Sequence, residues 1–217
     1  MSIARPGPRW AAIRTRFALV AVVGVLGIAI AMGMATGWWW WEQSASALGT
    51  DPTGGVYFNL TMVLIGLTFI PVSALLDGLL RDGATSGLIA TVWARLFRVG
   101  VWLIPIAFAA VGIWRIDEGT RANMIHDVAG FTIPLVVMAM MLTARIGLPR
   151  VFPRFERRSL LILAAIVLLF VVAVLGIVSY ALMEMLSFVI CWWWLLAFAT
   201  RLDRRLGNVA IPGASPA

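Results

Sequence analysis

The sequence contains no lysine, one cysteine, one histidine and two tyrosines among 217 residues. Each shortage excludes something. One cysteine, Cys191, cannot close a disulfide within the chain or build a cysteine metal site. One histidine, His126, cannot supply a multi-histidine metal centre or ligate a haem on both faces. No metal or other cofactor is expected. Charge is scarce as well. Charged residues make up 12% of the chain, about half the share of a soluble domain. A dedicated proton path would need more buried carboxylates than the ten acidic residues provide within the apolar runs.

What is abundant is apolar sequence, at 62% of residues with a mean hydropathy of +0.97. It falls in six runs, at about 17–41, 57–80, 96–114, 124–144, 159–180 and 183–200. A helix of about 20 residues crosses the hydrocarbon of a bilayer. The runs therefore predict an all-α polytopic membrane protein, a bundle of six transmembrane helices. A basic tail at 1–16 precedes the bundle and a second tail at 201–217 follows it. The last two runs come from one apolar stretch, Ser159 to Thr200. As a single helix it would be about 63 Å long, twice the hydrocarbon thickness. It is read as a hairpin turning near Ser179 to Met183. Ala45-Ser46-Ala47 could end a signal peptide, but the first apolar run is longer than an h-region and reads as an uncleaved span.

All seventeen basic residues are arginine, and all but Arg115 and Arg121 fall on one side of the six runs. Cytoplasmic loops retain positive charge, so both termini are expected in the cytoplasm. Arginines at helix ends meet anionic headgroups, which accounts for the net charge of +7 without nucleic acid.

Trp38 to Trp41 and Trp114 fall where an interfacial tryptophan belt belongs. Trp192, Trp193 and Trp194 lie deeper and, with Trp102, are candidates for an interior aromatic wall. Gly33 and Gly37 form a GxxxG in the first run, a spacing that lets helices approach closely in lipid. It suits packing within the bundle or a homodimer. Leu88 to Arg95 reads as an amphipathic start to the third helix. Pro71, Pro105 and Pro134 stand inside spans two, three and four and are expected to kink them.

His126 and Asp127 open span four at the arginine-poor end. Glu184 and Asn59 reach the same end on spans six and two and could approach His126. These four residues are read as a polar cap that ties the spans or recognises a ligand or lipid headgroup. A Ser–His–Asp arrangement is disfavoured, because sequence neighbours on a helix point apart. Asp77 and Arg81 form a helical i,i+4 ion pair at the other end.

The segment Ser44-Ala45-Ser46-Ala47-Leu48-Gly49 leads through Gly54-Gly55 to Phe58-Asn59 and Gly66. Val111-Gly112 closes the third run and His126 opens the fourth. In this layout the chain resembles the bacterial six-span proteins of the domain of unknown function 998 family, similar in outline to the Frag/DRAM/Sfk-like proteins. The resemblance covers most of residues 15–203. It implies six helices and no established activity, and it singles out Asn59 and His126. The leading expectation is a non-enzymatic membrane protein that binds lipids or a partner protein. The alternatives are a small solute transporter and a lipid-modifying enzyme using His126.

Overall fold

A computed structural model describes residues 7–39, 41–115, 119–147 and 155–209. Trp40, Asp117, Glu118 and most of the basic connection between the fourth and fifth runs lie outside the described residues. Among these residues six α-helices follow in order: α1 Trp10–Met34, α2 Gly54–Thr85, α3 Thr91–Ile113, α4 Thr120–Gly147, α5 Phe155–Val174 and α6 Tyr180–Val209. A 3₁₀ turn, Ser46–Thr50, lies between α1 and α2. Among the described residues five helices are long and apolar enough to cross a membrane, and the apolar part of α5, Arg158–Val174, is shorter.

α1 begins and ends earlier than its apolar run suggested. It stops at Met34 because the amides of Thr36, Gly37 and Trp38 donate to the Asp51 carboxylate, where a continuing helix would aim them at its own carbonyls. The Thr53 hydroxyl takes up one of the orphaned carbonyls, that of Met34. Gly37 therefore lies outside the helix, and Gly33 and Gly37 do not share a helical face. Gly33 itself is exposed, with nothing packed near it.

The hairpin between α5 and α6 turns at Leu175–Ser179, before the expected Ser179–Met183. Gly176 adopts φ +72°, a left-handed conformation that glycine reaches without strain. Its amide reaches Ala173 O at 2.9 Å, and the Ile177 amide reaches Val172 O at 2.9 Å. This is the paired closure of a Schellman C-terminus. Ser179 then caps α6, its hydroxyl accepting from the Leu182 amide at 3.1 Å. α3 likewise starts later than expected. Leu88–Ala90 belong to the preceding turn, where buried Ile89 donates its amide to Gly83 O at 2.9 Å.

The tightest helix pairing is α2 against α3. A Cβ on Gly66 would lie 2.7 Å from Pro105 O, and one on Gly112 would lie 2.4 Å from Asn59 O. Only glycine permits backbones this close. Nearby, on the arginine-rich side of Gly66, the buried Ser73 hydroxyl donates to Val101 O at 2.6 Å. Pro71, Pro105 and Pro134 each stand inside a helix that continues past them. The Arg16 guanidinium of α1 donates to the Pro71 carbonyl at 3.0 Å.

The start of α1 and the end of α6 lie together. The Arg9 amide donates to both carboxylate oxygens of Asp203, at 3.2 and 3.1 Å. Its guanidinium pairs with Asp82, near the end of α2, at 2.6 Å. Trp10 carries Arg14 and Arg204 within 5.5 and 5.9 Å of its ring, a cation–π arrangement. The first turn of α1 and the last turns of α6 thus share the arginine-rich end of the molecule.

Candidate functional site

At the arginine-poor end the dominant group is Asp51. One oxygen accepts from the amides of Thr53 (3.0 Å) and Gly54 (2.8 Å). The other accepts from Gly37 (2.7 Å), Trp38 (3.0 Å) and Thr36 (3.1 Å). Asp51 thereby caps α2 and closes α1 with one carboxylate. Burial alone would raise its pKa. The amides of Gly54, Gly37, Thr53 and Thr36 outweigh that and hold the carboxyl well below the usual range.

Glu184 forms a second clip. Its carboxylate, in the first turns of α6, accepts from the Ala45 amide at 2.6 Å and the Ser46 amide at 3.3 Å. Asn59 forms a third, donating its side-chain amide to Gly49 O at 3.0 Å. Its Oδ1 is buried without a hydrogen-bond partner among the described residues. His126 forms a fourth, with Nδ1 at 2.8 Å from Trp114 O. A carbonyl can only accept, so Nδ1 carries the proton. Nε2 is buried and, among the described residues, unpartnered. Asp127 is exposed.

The four expected cap residues therefore do not form one hydrogen-bonded cluster. Asn59, His126 and Glu184 each hold a backbone group, and Glu184 and Asn59 do not hydrogen-bond to His126. Sequence reasoning missed Asp51. Its Asp-Pro-Thr-Gly context does carry an N-cap signal, but the bonds to Thr36–Trp38 have no local signature.

The aromatic residues divide. Trp192 packs between Phe17 and Phe69, with ring centroids 4.7 and 5.5 Å away. Trp194 is fully buried, stacks on Phe198 at 5.5 Å and donates Nε1 to Ser159 at 2.8 Å. Trp193 and Trp102 are exposed on the helix surfaces and do not belong to an interior wall. Successive helical side chains point about 100° apart, so one triplet cannot share a face. In the tryptophan run, Trp38 is half-buried, with Nε1 on Ser44 O at 2.9 Å. Trp39 and Trp41 are exposed.

At the arginine-rich end Asp77 does more than expected. It pairs with Arg81 at 2.7 Å, as its spacing predicts, and also with Arg98 of α3. A cleft of about 530 Å³ opens beside this triad, lined by Asp77, Arg81, Arg95 and Arg98, then by Val99, Trp102, Leu103 and Ile106. Among the described residues no three His, Cys, Asp or Glu side chains gather where they could hold a metal ion.

Long apolar helices, exposed apolar side chains and polar groups gathered at the helix ends define a multi-pass membrane protein. The family described as protein of unknown function (DUF998) matches residues 5–201, and the chain belongs to that family. No curated protein and no solved structure matches it.

Proposed function

We propose that this protein crosses a bacterial inner membrane six times, with both ends in the cytoplasm, and acts by binding lipid rather than by catalysis. The observation that carries the reading is the clamp of Arg9 on Asp203 and Asp82. Five crossings would place the start of α1 and the end of α6 on opposite faces. A clamp between them calls for an even number, so α5 completes the sixth. Its apolar part, Arg158–Val174, makes about 25 Å of helix, which crosses the hydrocarbon layer with slight local thinning of the bilayer. The face that holds both helix ends is also the arginine-rich one, which favours the cytoplasm. The lipid reading follows from how the polar groups are used. Asp51, Glu184, Asn59 and His126 hold backbone at the arginine-poor end, while the arginines face the headgroup level at the other.

Both halves are testable. In a Cys191→Ser background, Ser2→Cys and Ser215→Cys should resist a membrane-impermeant maleimide in intact cells and react after permeabilisation. Labelling of either site in intact cells would overturn the topology. Native mass spectrometry of the purified protein should retain stoichiometric lipid, and a spectrum of bare protein would overturn the binding reading.

A further inference from the structure

We infer that the cleft between α2 and α3 at the arginine-rich end is a site for an anionic phospholipid, its phosphodiester held by Arg81 and Arg95 and one acyl chain lying along α3. This rests on the lipid-binding reading and names the site and the headgroup charge.

Charge is the first argument. Three arginines and one aspartate line the cleft, a formal excess of positive charge. Asp77 is buried and neutralises only part of this. Its two oxygens are occupied by Arg81 and Arg98. Arg81 keeps 61% of its side chain exposed in that pair, so its other donors stay available. Arg95 is exposed and lines the same cleft. Guanidinium groups match phosphate oxygens in forked geometry.

Shape is the second argument. Arg95, Val99, Trp102, Leu103 and Ile106 recur at three- and four-residue steps and so form one stripe of α3. From Arg95 to Ile106 the stripe runs about 16 Å along the helix axis. It is charged at the headgroup end and apolar towards the membrane centre. Val99 and Ile106 are more than 60% exposed, so the described residues leave them largely uncovered. A free phosphate would use only the charged part of this surface. An amphiphile uses all of it, in the orientation a cytoplasmic-leaflet lipid already has. Basic pockets between helices at that level take up anionic headgroups.

The test uses the full-length protein in nanodiscs with phosphatidylglycerol or phosphatidylcholine as probe. The wild type should prefer phosphatidylglycerol. Arg95→Gln should weaken phosphatidylglycerol binding about fivefold, the worth of one basic residue at an anionic surface. Arg81→Gln with Arg95→Gln should weaken it by about 30-fold and weaken phosphatidylcholine, whose choline offsets the phosphate charge, much less. Ile106→Asp should weaken lipid binding by obstructing the acyl path. Lipid preference retained in the double variant overturns this site but leaves the lipid-binding reading standing. A wild type that binds neither lipid overturns that reading itself. Displacement by millimolar inorganic phosphate, with no effect of Ile106→Asp, overturns the lipid in favour of a soluble anion.

Discussion

Gly112→Ala should destabilise the fold, although alanine is the better helix former. A methyl group there would sit 2.4 Å from the Asn59 carbonyl oxygen, 2.9 Å from a Val63 methyl and 3.0 Å from the Met62 Cβ. The first of these is backbone, so a side-chain rotation cannot relieve it. α2 and α3 would have to separate. Overpacking of this kind costs about 1–3 kcal/mol and sometimes more, against about 1 kcal/mol gained in helix propensity. The loss wins. Gly66→Ala should behave alike, because Pro105 O and Ala109 N lie within 3.0 Å of the added carbon. Gly78→Ala is the control. Nothing lies within 4 Å of its added carbon, so propensity acts alone and stability should hold or rise. Thermal melts followed by fluorescence-detected size exclusion in detergent would rank the variants. If Gly112→Ala melts with or above the wild type, the close approach of α2 and α3 is wrong.

That contrast also shows what was readable beforehand. The apolar runs located the six described α-helices, five of which are long and apolar enough to cross a membrane. The Asp77–Arg81 pair was legible, since i,i+4 spacing is a property of one helix. The importance of Gly112 was not, and the GxxxG at Gly33 and Gly37 drew attention instead. A glycine matters where a second backbone approaches it, and one helix carries no information about its neighbour. The same limit hid Arg98, which reaches Asp77 from another helix, and left open which tryptophans face inward. The α5–α6 turn was legible but misplaced. Gly176 and Ser179 carry stop and start signals, and dividing a long apolar stretch by length alone passes over them.

Asp51→Asn should loosen the arginine-poor end at neutral pH while leaving the helices formed. The substitution keeps shape and removes charge. In the wild type all the contacts to the two oxygens come from donors, including the amides of Thr36, Gly37, Trp38, Thr53 and Gly54. Asparagine offers one acceptor oxygen and turns an NH₂ group towards the other set. Either α1 loses its closure or α2 loses its cap, and the contacts that remain are no longer charge-assisted. Hydrogen exchange at Thr36–Trp38 or at Thr53–Gly54 should quicken on the order of tenfold, the scale of losing one hydrogen bond to a charged group. The pH dependence has a definite sign. The folded carboxyl titrates below its unfolded value, so its contribution is complete above about pH 4. It is lost only as pH falls towards the lower folded value. Corrected for intrinsic rates, protection of these amides in the wild type should therefore stay level from about pH 8 to about pH 5. Loss of protection within that window, or an Asp51→Asn variant protected like the wild type, would show that some other group closes this end. Glu184 is the natural comparison. Its carboxylate holds Ala45 and Ser46, a few residues before Asp51 and on another helix. Glu184→Gln should therefore release the 3₁₀ turn and leave Thr36–Trp38 protected. Separable exchange signatures for these two clips mean that Asp51, and not Glu184, sets where α1 stops.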